Sequence, residues 1–324
     1  PANTFGGTTP AARNIISGNA SDGVDIRDVG TTGNLVQGNF IGTNTAGTTA
    51  IGNGDDGIQI QITSTGNTIG GSATGAGNVI SGNDNDGAVI TGAGTSSNMV
   101  QGNLIGLAVD GSSNLDNSGN GVLLNIGANN NTVGGTTAGQ GNTIAFNAKG
   151  VVVDTGAGNT ISGNSIFDND GLGIDLGNDG VTANDADDPD PGANLLQNFP
   201  VLTAATRNGN DVSFMGTLDS VASEDFVIEY FANISGVDPS GFGEGEVFLG
   251  AQTVTTDANG DIAFTSAVLT SPVALTASTT YSATATRVST GDTSEFSAPA
   301  GTFVFTIGAI DDITLRLEDQ NTVD

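Results

Sequence analysis

The sequence predicts an all-β chain: a three-sided parallel β-helix of about six coils, then an antiparallel Ig-like β-sandwich and a short C-terminal strand segment. Three observations carry that reading. The opening motif returns at a constant spacing, with Asn3, Asn67 and Asn131 each 64 residues apart. Within each unit, short segments of the form Asn-x-apolar and Gly-apolar-x-apolar follow one another with the period of two expected of strands. Beyond Phe199 the repeat gives way to longer alternating runs separated by turn residues such as Asp257-Ala-Asn-Gly-Asp261. Repetition on this scale signals a solenoid, in which each unit buries its apolar face only by stacking on the next.

Each 64-residue unit holds two coils of three strands, here called A, B and C. The third positions of A and B are Phe5, Ile16, Val36, Ile41, Ile69, Ile80, Val100, Ile105, Val133, Ile144, Ile161 and Ile166, all apolar. In C the expected inward pairs are Val24/Ile26, Ile58/Ile60, Ala88/Ile90, Val122/Leu124, Val151/Val153 and Leu172/Ile174. β-branched residues dominate these sites, as pleated surfaces favour. Six coils stacked strand on strand make a rod of roughly 29 Å. Asn34, Asn98 and Asn159 open A strands and Asn39, Asn103 and Asn164 open B strands, so their amides stack and satisfy one another along the rod. Gly23, Gly57, Gly87, Gly121, Gly150 and Gly171 precede C, where a corner needs positive φ or close backbone approach.

The NTIGG, GNVISGN and NLVQGNFIG units resemble the right-handed parallel β-helix repeats of large bacterial surface and secreted proteins. The segment GNSIFDNDGLGIDLGNDGVTANDADDPDPGANLLQNFPVL is similar to the one that closes the helix in that group. The resemblance covers about residues 3–202 and implies an architecture much more than an activity.

Four segments follow: 1–177 the β-helix, 178–198 an acidic junction, 199–300 the Ig-like sandwich, and 301–324 a strand extension or the start of a further module. Pro189 and Pro191 exclude regular structure from the junction. The sandwich strands are read as Asp211–Leu218, Asp225–Asn233, Glu246–Thr255, Ile262–Leu269, Thr280–Val288 and Phe296–Ala298. The chain opens at Pro1 in mid-repeat register, which reads as a portion of a longer chain.

Composition narrows the function. A net charge of −29, with Lys149 and five arginines as the only cations, repels nucleic acid and anionic membranes. No apolar run reaches the roughly 20 residues of a membrane span. Without Cys or His, nucleophilic catalysis through a Cys or a His-activated Ser is excluded. Gly54-Asp55-Asp56 resembles the paired-aspartate motif of the pectin hydrolases, but the Gly-His-Gly and Arg-Ile-Lys motifs of that family are missing. Asp56 also fills the corner slot held elsewhere by Asp22, Asp86, Asn120, Lys149 and Asp170. For a lyase the candidate bases are Arg13, Arg27 and Lys149, which form no cationic cluster.

Two sites remain. Asp185, Asp187, Asp188 and Asp190, with Asn184 and Asn194, offer the hard oxygens of a structural Ca²⁺ site; the other reading is a solvated acidic linker. Asp238, Glu244 and Glu246 make a second, weaker cluster. The outward residues Ile15, Phe40, Val79 and Leu104 of B, with Leu35 and Met99 of A, form an apolar stripe, either a partner surface or a face covered by the loops Thr43–Asp56 and Ala108–Asn120. Phe5 in the first coil, and Phe303, Phe305, Ile313 and Leu315 in the last segment, are candidates for stacking or strand donation. The expectation is a non-catalytic extracellular or cell-surface structural protein that self-associates into a fibre or packs with further modules; the alternative is a polysaccharide-binding or polysaccharide-degrading β-helix protein.

Overall fold

A computed structural model describes residues 2–236 and 240–300 and the backbone of the strand Thr302–Val304. Three parallel six-stranded sheets form the rod. Sheet A stacks Thr4–Gly6, Leu35–Gln37, Thr68–Gly70, Met99–Gln101, Thr132–Gly134 and Thr160–Ser162. Sheet B stacks Ile15–Ile16, Phe40–Ile41, Val79–Ile80, Leu104–Ile105, Thr143–Ala145 and Ser165–Phe167. Sheet C stacks Val24–Ile26, Ile58–Ile60, Ala88–Thr91, Val122–Asn125, Val151–Val153 and Ile174–Leu176.

The register follows the repeat, as in Val100 paired with Ile69 and Val133. The third positions of A and B from coil two onward are buried in one continuous core with the inward residues of C. At the corner before C, glycine is required by close approach: a Cβ on Gly87 would lie 2.6 Å from the Gly121 carbonyl oxygen.

One register differs from expectation. In the sixth coil Val151 pairs with Ile174 and Val153 with Leu176, so the inward pair is Ile174/Leu176 and the corner glycine is Gly173. The cause is a third stack of amides at this corner, Asn19, Asn53, Asn83, Asn117, Asn147 and Asn169. Ile174 stands five residues after Asn169, the same distance as Val122 from Asn117.

The C-terminal part is a two-sheet sandwich. One sheet orders Asp261–Thr265, Asp211–Asp219, Val201–Asn208 and Thr302–Val304, with Leu269–Thr270 also on Asp211–Asp219. The other orders Val247–Thr255, Asp225–Asn233 and Thr280–Arg287, all antiparallel. Phe214, Tyr230 and Tyr281 centre its core, the first two stacked at 4.7 Å. Phe296–Ala298 does not form a regular strand. It is tied to Thr280–Arg287 through Ser294 and Ser297, whose hydroxyls accept from the Ala285 and Ala283 amides. Phe296 meanwhile joins the rod core.

Candidate functional site

All three amide ladders run with one polarity: each Asn gives its backbone N–H and its Nδ2–H to the Oδ1 of the next Asn. In sheet A, Asn67 donates both to Asn98, and Asn98 both to Asn131, at 3.0–3.1 Å. The last coil therefore ends in donors without a further coil; Asn194 of the junction accepts from Asn159, and the sandwich supplies acceptors for Asn169 and other donors of that coil. Glu244 takes the Asn169 amide and side chain on Oε1 and the Asp168 amide on Oε2. Glu229 takes the Ser162 hydroxyl and the Gly163 amide. Glu295 takes the Leu176 and Thr182 amides. Phe231 and Phe296 complete the seal by entering the rod core beside Ile166 and Ile174.

These three carboxylates are buried, and each engages both oxygens as acceptors. Burial pushes Glu295 up to about 7 and raises Glu229, while the amides they accept pull the other way. The signal for Glu229 lies in the run Asp225–Asn233: Phe226, Ile228, Tyr230 and Ala232 face the sandwich core. The alternate face, carrying Glu229 and Phe231, meets the rod, so the acid interrupts a strand that is apolar on both faces. Glu244 and Glu246 do not form a metal site together. Glu246 turns away to accept from the Ile234 and Ser235 amides, and Asp238 lies outside the described residues.

The expected cation ligands separate into two groups. Asp185, Asp188 and Asp190 each present a carboxylate oxygen within 4.8 Å of the others. Asp187 is not part of that cluster; its backbone amide donates to Asp219 Oδ1 at 3.0 Å. Asn194 lies outside the cluster because it terminates the sheet A ladder, accepting the Asn159 amide and donating to the Asn159 and Thr293 carbonyls. Asn184 is spent on a two-way bond with the Phe199 backbone.

The apolar stripe is covered at its middle and exposed at Ile15 and Met99. Phe40 is 3% exposed and Val79 4%, so neither is a partner surface. Gly47, at φ +68°, sits on the Phe40 ring, where a Cβ would come within 2.8 Å. The Arg13 guanidinium stacks on the same ring at 3.9 Å. The two long loops bond to each other through Val109 N–H and Gly47 O, and the second reaches over Leu104, which is half-buried. Leu35 is half-buried too, whereas Phe5, Ile15 and Met99 are exposed. Phe303 falls in a strand whose backbone pairs with Thr206 of this chain's own sandwich, so that strand is already engaged as an edge. Phe305, Ile313 and Leu315 lie outside the described residues.

The paired aspartates belong to a corner ladder of their own. Asp22, Asp56 and Asp86 accept the amides of Asp56, Asp86 and Asn120 in turn. Asp56 spends its other oxygen on Gln59, and Asp55 accepts from Asn85. Burial, then the neighbouring Asp86, pushes Asp56 up to about 7. Of the candidate cationic bases, Arg13 donates to Gly38 O, Arg27 pairs with Asp25, and Lys149 pairs with buried Asp175 at 2.6 Å. A groove of about 580 Å³ beside the last corner is lined by residues such as Asp154, Asp179, Val181 and Leu196, without an aromatic ring for sugar stacking. No protein-family model matches the chain, and no curated protein matches it in sequence.

Proposed function

We propose that the chain is a non-catalytic structural element of an extracellular or cell-surface protein: a β-helical rod sealed at one end by its sandwich. The observation that carries this reading is that the rod's inward, ladder and corner positions are taken up by stacking and packing. A general acid and base need freedom to exchange protons with a substrate. Here Asp56 is held by three neighbours and each candidate cation by a carboxylate, a carbonyl or a ring.

The sealed end limits how such rods combine. Further coils can extend the stack only at the first coil, where Phe5 and Ile15 are exposed. The polar loops over Phe40 and Leu104 cover the middle of the apolar stripe, which suits a spacer in an adhesin or fibre. Tyr230 and Tyr281, the only tyrosines, are buried in the sandwich, and the chain has no Trp, so polysaccharide stacking has little aromatic surface to use.

Electron microscopy of the purified chain, paired with a panel of neutral and uronate polysaccharides, tests this. The reading expects rods, single or joined end to end, and no reducing ends or unsaturated products. Turnover of any polysaccharide, lost on replacing Asp55 or Asp56 by Asn, would refute it.

A further inference from the structure

The acidic junction differs from the Asp22–Asp55–Asp56 corner in one respect. At the corner the carboxylates are occupied by amides of the rod. At the junction two carboxylate oxygens are buried with no hydrogen-bond partner: Oδ1 of Asp188 and Oδ1 of Asp190. Asp188 is only 8% exposed. Its Oδ2 is fixed by the Ser220 hydroxyl at 2.5 Å and the Asn198 amide at 3.4 Å. A buried, unpaired oxygen on an ionised carboxylate is costly, and a neighbouring carboxylate raises the cost.

We propose that Asp185, Asp188 and Asp190 bind one Ca²⁺ ion, which clamps the junction onto the sandwich. The dimensions suit that ion. Ligand oxygens about 2.4 Å from a calcium lie up to roughly 4.8 Å apart across it. The three carboxylates converge within 4.8 Å. Three carboxylates, with water completing the shell, make a flexible oxygen site of the kind Ca²⁺ accepts, whereas Mg²⁺ demands near-ideal octahedral geometry.

The surroundings hold the site in place without the ion. Asn198 joins Asp185 and Asp219 by donating to both carbonyls, at 2.7 and 2.8 Å, and accepts the Asp185 amide. Asp188 reaches Ser220 at the end of the strand Asp211–Asp219. An ion held there ties residues 185–190 to the sandwich edge.

The test is calorimetric titration of the chelator-stripped full chain with CaCl₂ or MgCl₂ at pH 7.5 in 150 mM NaCl, with thermal melting alongside. One Ca²⁺ per chain is expected, with Mg²⁺ at least tenfold weaker and a rise in melting temperature on adding Ca²⁺. Asp190→Asn, which touches none of the Asp188 bonds, should weaken Ca²⁺ binding at least tenfold while leaving the metal-free melting temperature in place. Asp55→Asn should leave binding unchanged. The absence of a binding heat and of a melting shift overturns the proposal. So does a Ca²⁺ response that survives Asp190→Asn, is lost in Asp55→Asn, or is matched by Mg²⁺.

Discussion

Replacing Asn98 by Ala should cost the rod several kcal/mol, while the same change at Asn14 should cost little. Asn98 Oδ1 accepts both the amide and the Nδ2–H of Asn67, each at 3.0 Å. Its own Nδ2 donates to Asn131 Oδ1 and to Ser64 O, each at 3.1 Å. Truncation leaves the Asn67 amide orphaned in a buried site, and Asn67 Nδ2 keeps only a bond of 3.4 Å to Thr31 O. At about 1–3 kcal/mol per buried unsatisfied group, the loss is about 3–5 kcal/mol. Asn14 is the exposed first rung of its ladder: its Nδ2 donates to Asn39 Oδ1, which still keeps the Asn14 amide after truncation. Only one net hydrogen bond is lost there, about 1 kcal/mol. Urea unfolding followed by far-ultraviolet circular dichroism measures both. Equal losses for the two variants, or a loss below about 1 kcal/mol for Asn98→Ala, would show that the amides are not what ties coil to coil.

Lys149→Ala should destabilise the last coil by about 3–5 kcal/mol, because it leaves the carboxylate of Asp175, wholly buried in sheet C, without its cation; a thermal melt like that of the parent would contradict this. The pH dependence has a definite sign. Asp56 and Glu295 are pushed up to about 7 and Asp188 up to about 6, so the folded chain takes up protons that the unfolded chain has already released. Their stabilising contribution is complete below the ordinary carboxylate range and is lost as pH rises through about 7. In metal-free buffer the melting temperature should fall between pH 5 and pH 8, and a rise over that interval would contradict the assignment.

The rod was legible in the sequence because period-two apolar positions and recurring Asn residues are local signals repeated in coil after coil. The same logic extended one step further would have placed the last strand, since Ile174 follows Asn169 as Val122 follows Asn117. That third ladder is harder to see, because its Asn residues precede corners and not strands. For Phe40 and Val79 the sequence leaves two readings, a partner surface or a loop-covered face, and the structure shows them covered. Alternation shows that a side chain points out of the coil, but not whether a loop inserted sixty residues on from its neighbour will fold back over it. Gly47 and Val109 do that jointly, across two coils. Asn194 looked like a ligand by its proximity to aspartates in the chain, whereas its backbone turns it onto the ladder. The carboxylates of Glu244 and Glu295 carry no local motif, and Glu229 shows only as an acid inside a strand that is otherwise apolar on both faces. Their role arises only when the donor end of one element meets an unrelated strand.

That meeting is the centre of the account, and residue-resolved hydrogen–deuterium exchange addresses it directly. The amides of Gly163, Asp168, Asn169 and Leu176 have no further coil to pair with and depend on the sandwich carboxylates. If the sandwich seals the rod, they exchange as slowly as Val122, whose amide bonds within the stack to Gly150 O. Exchange of all four at the rate of an unstructured peptide, with Val122 still protected, would mean that the two elements are merely tethered and the end of the rod is open.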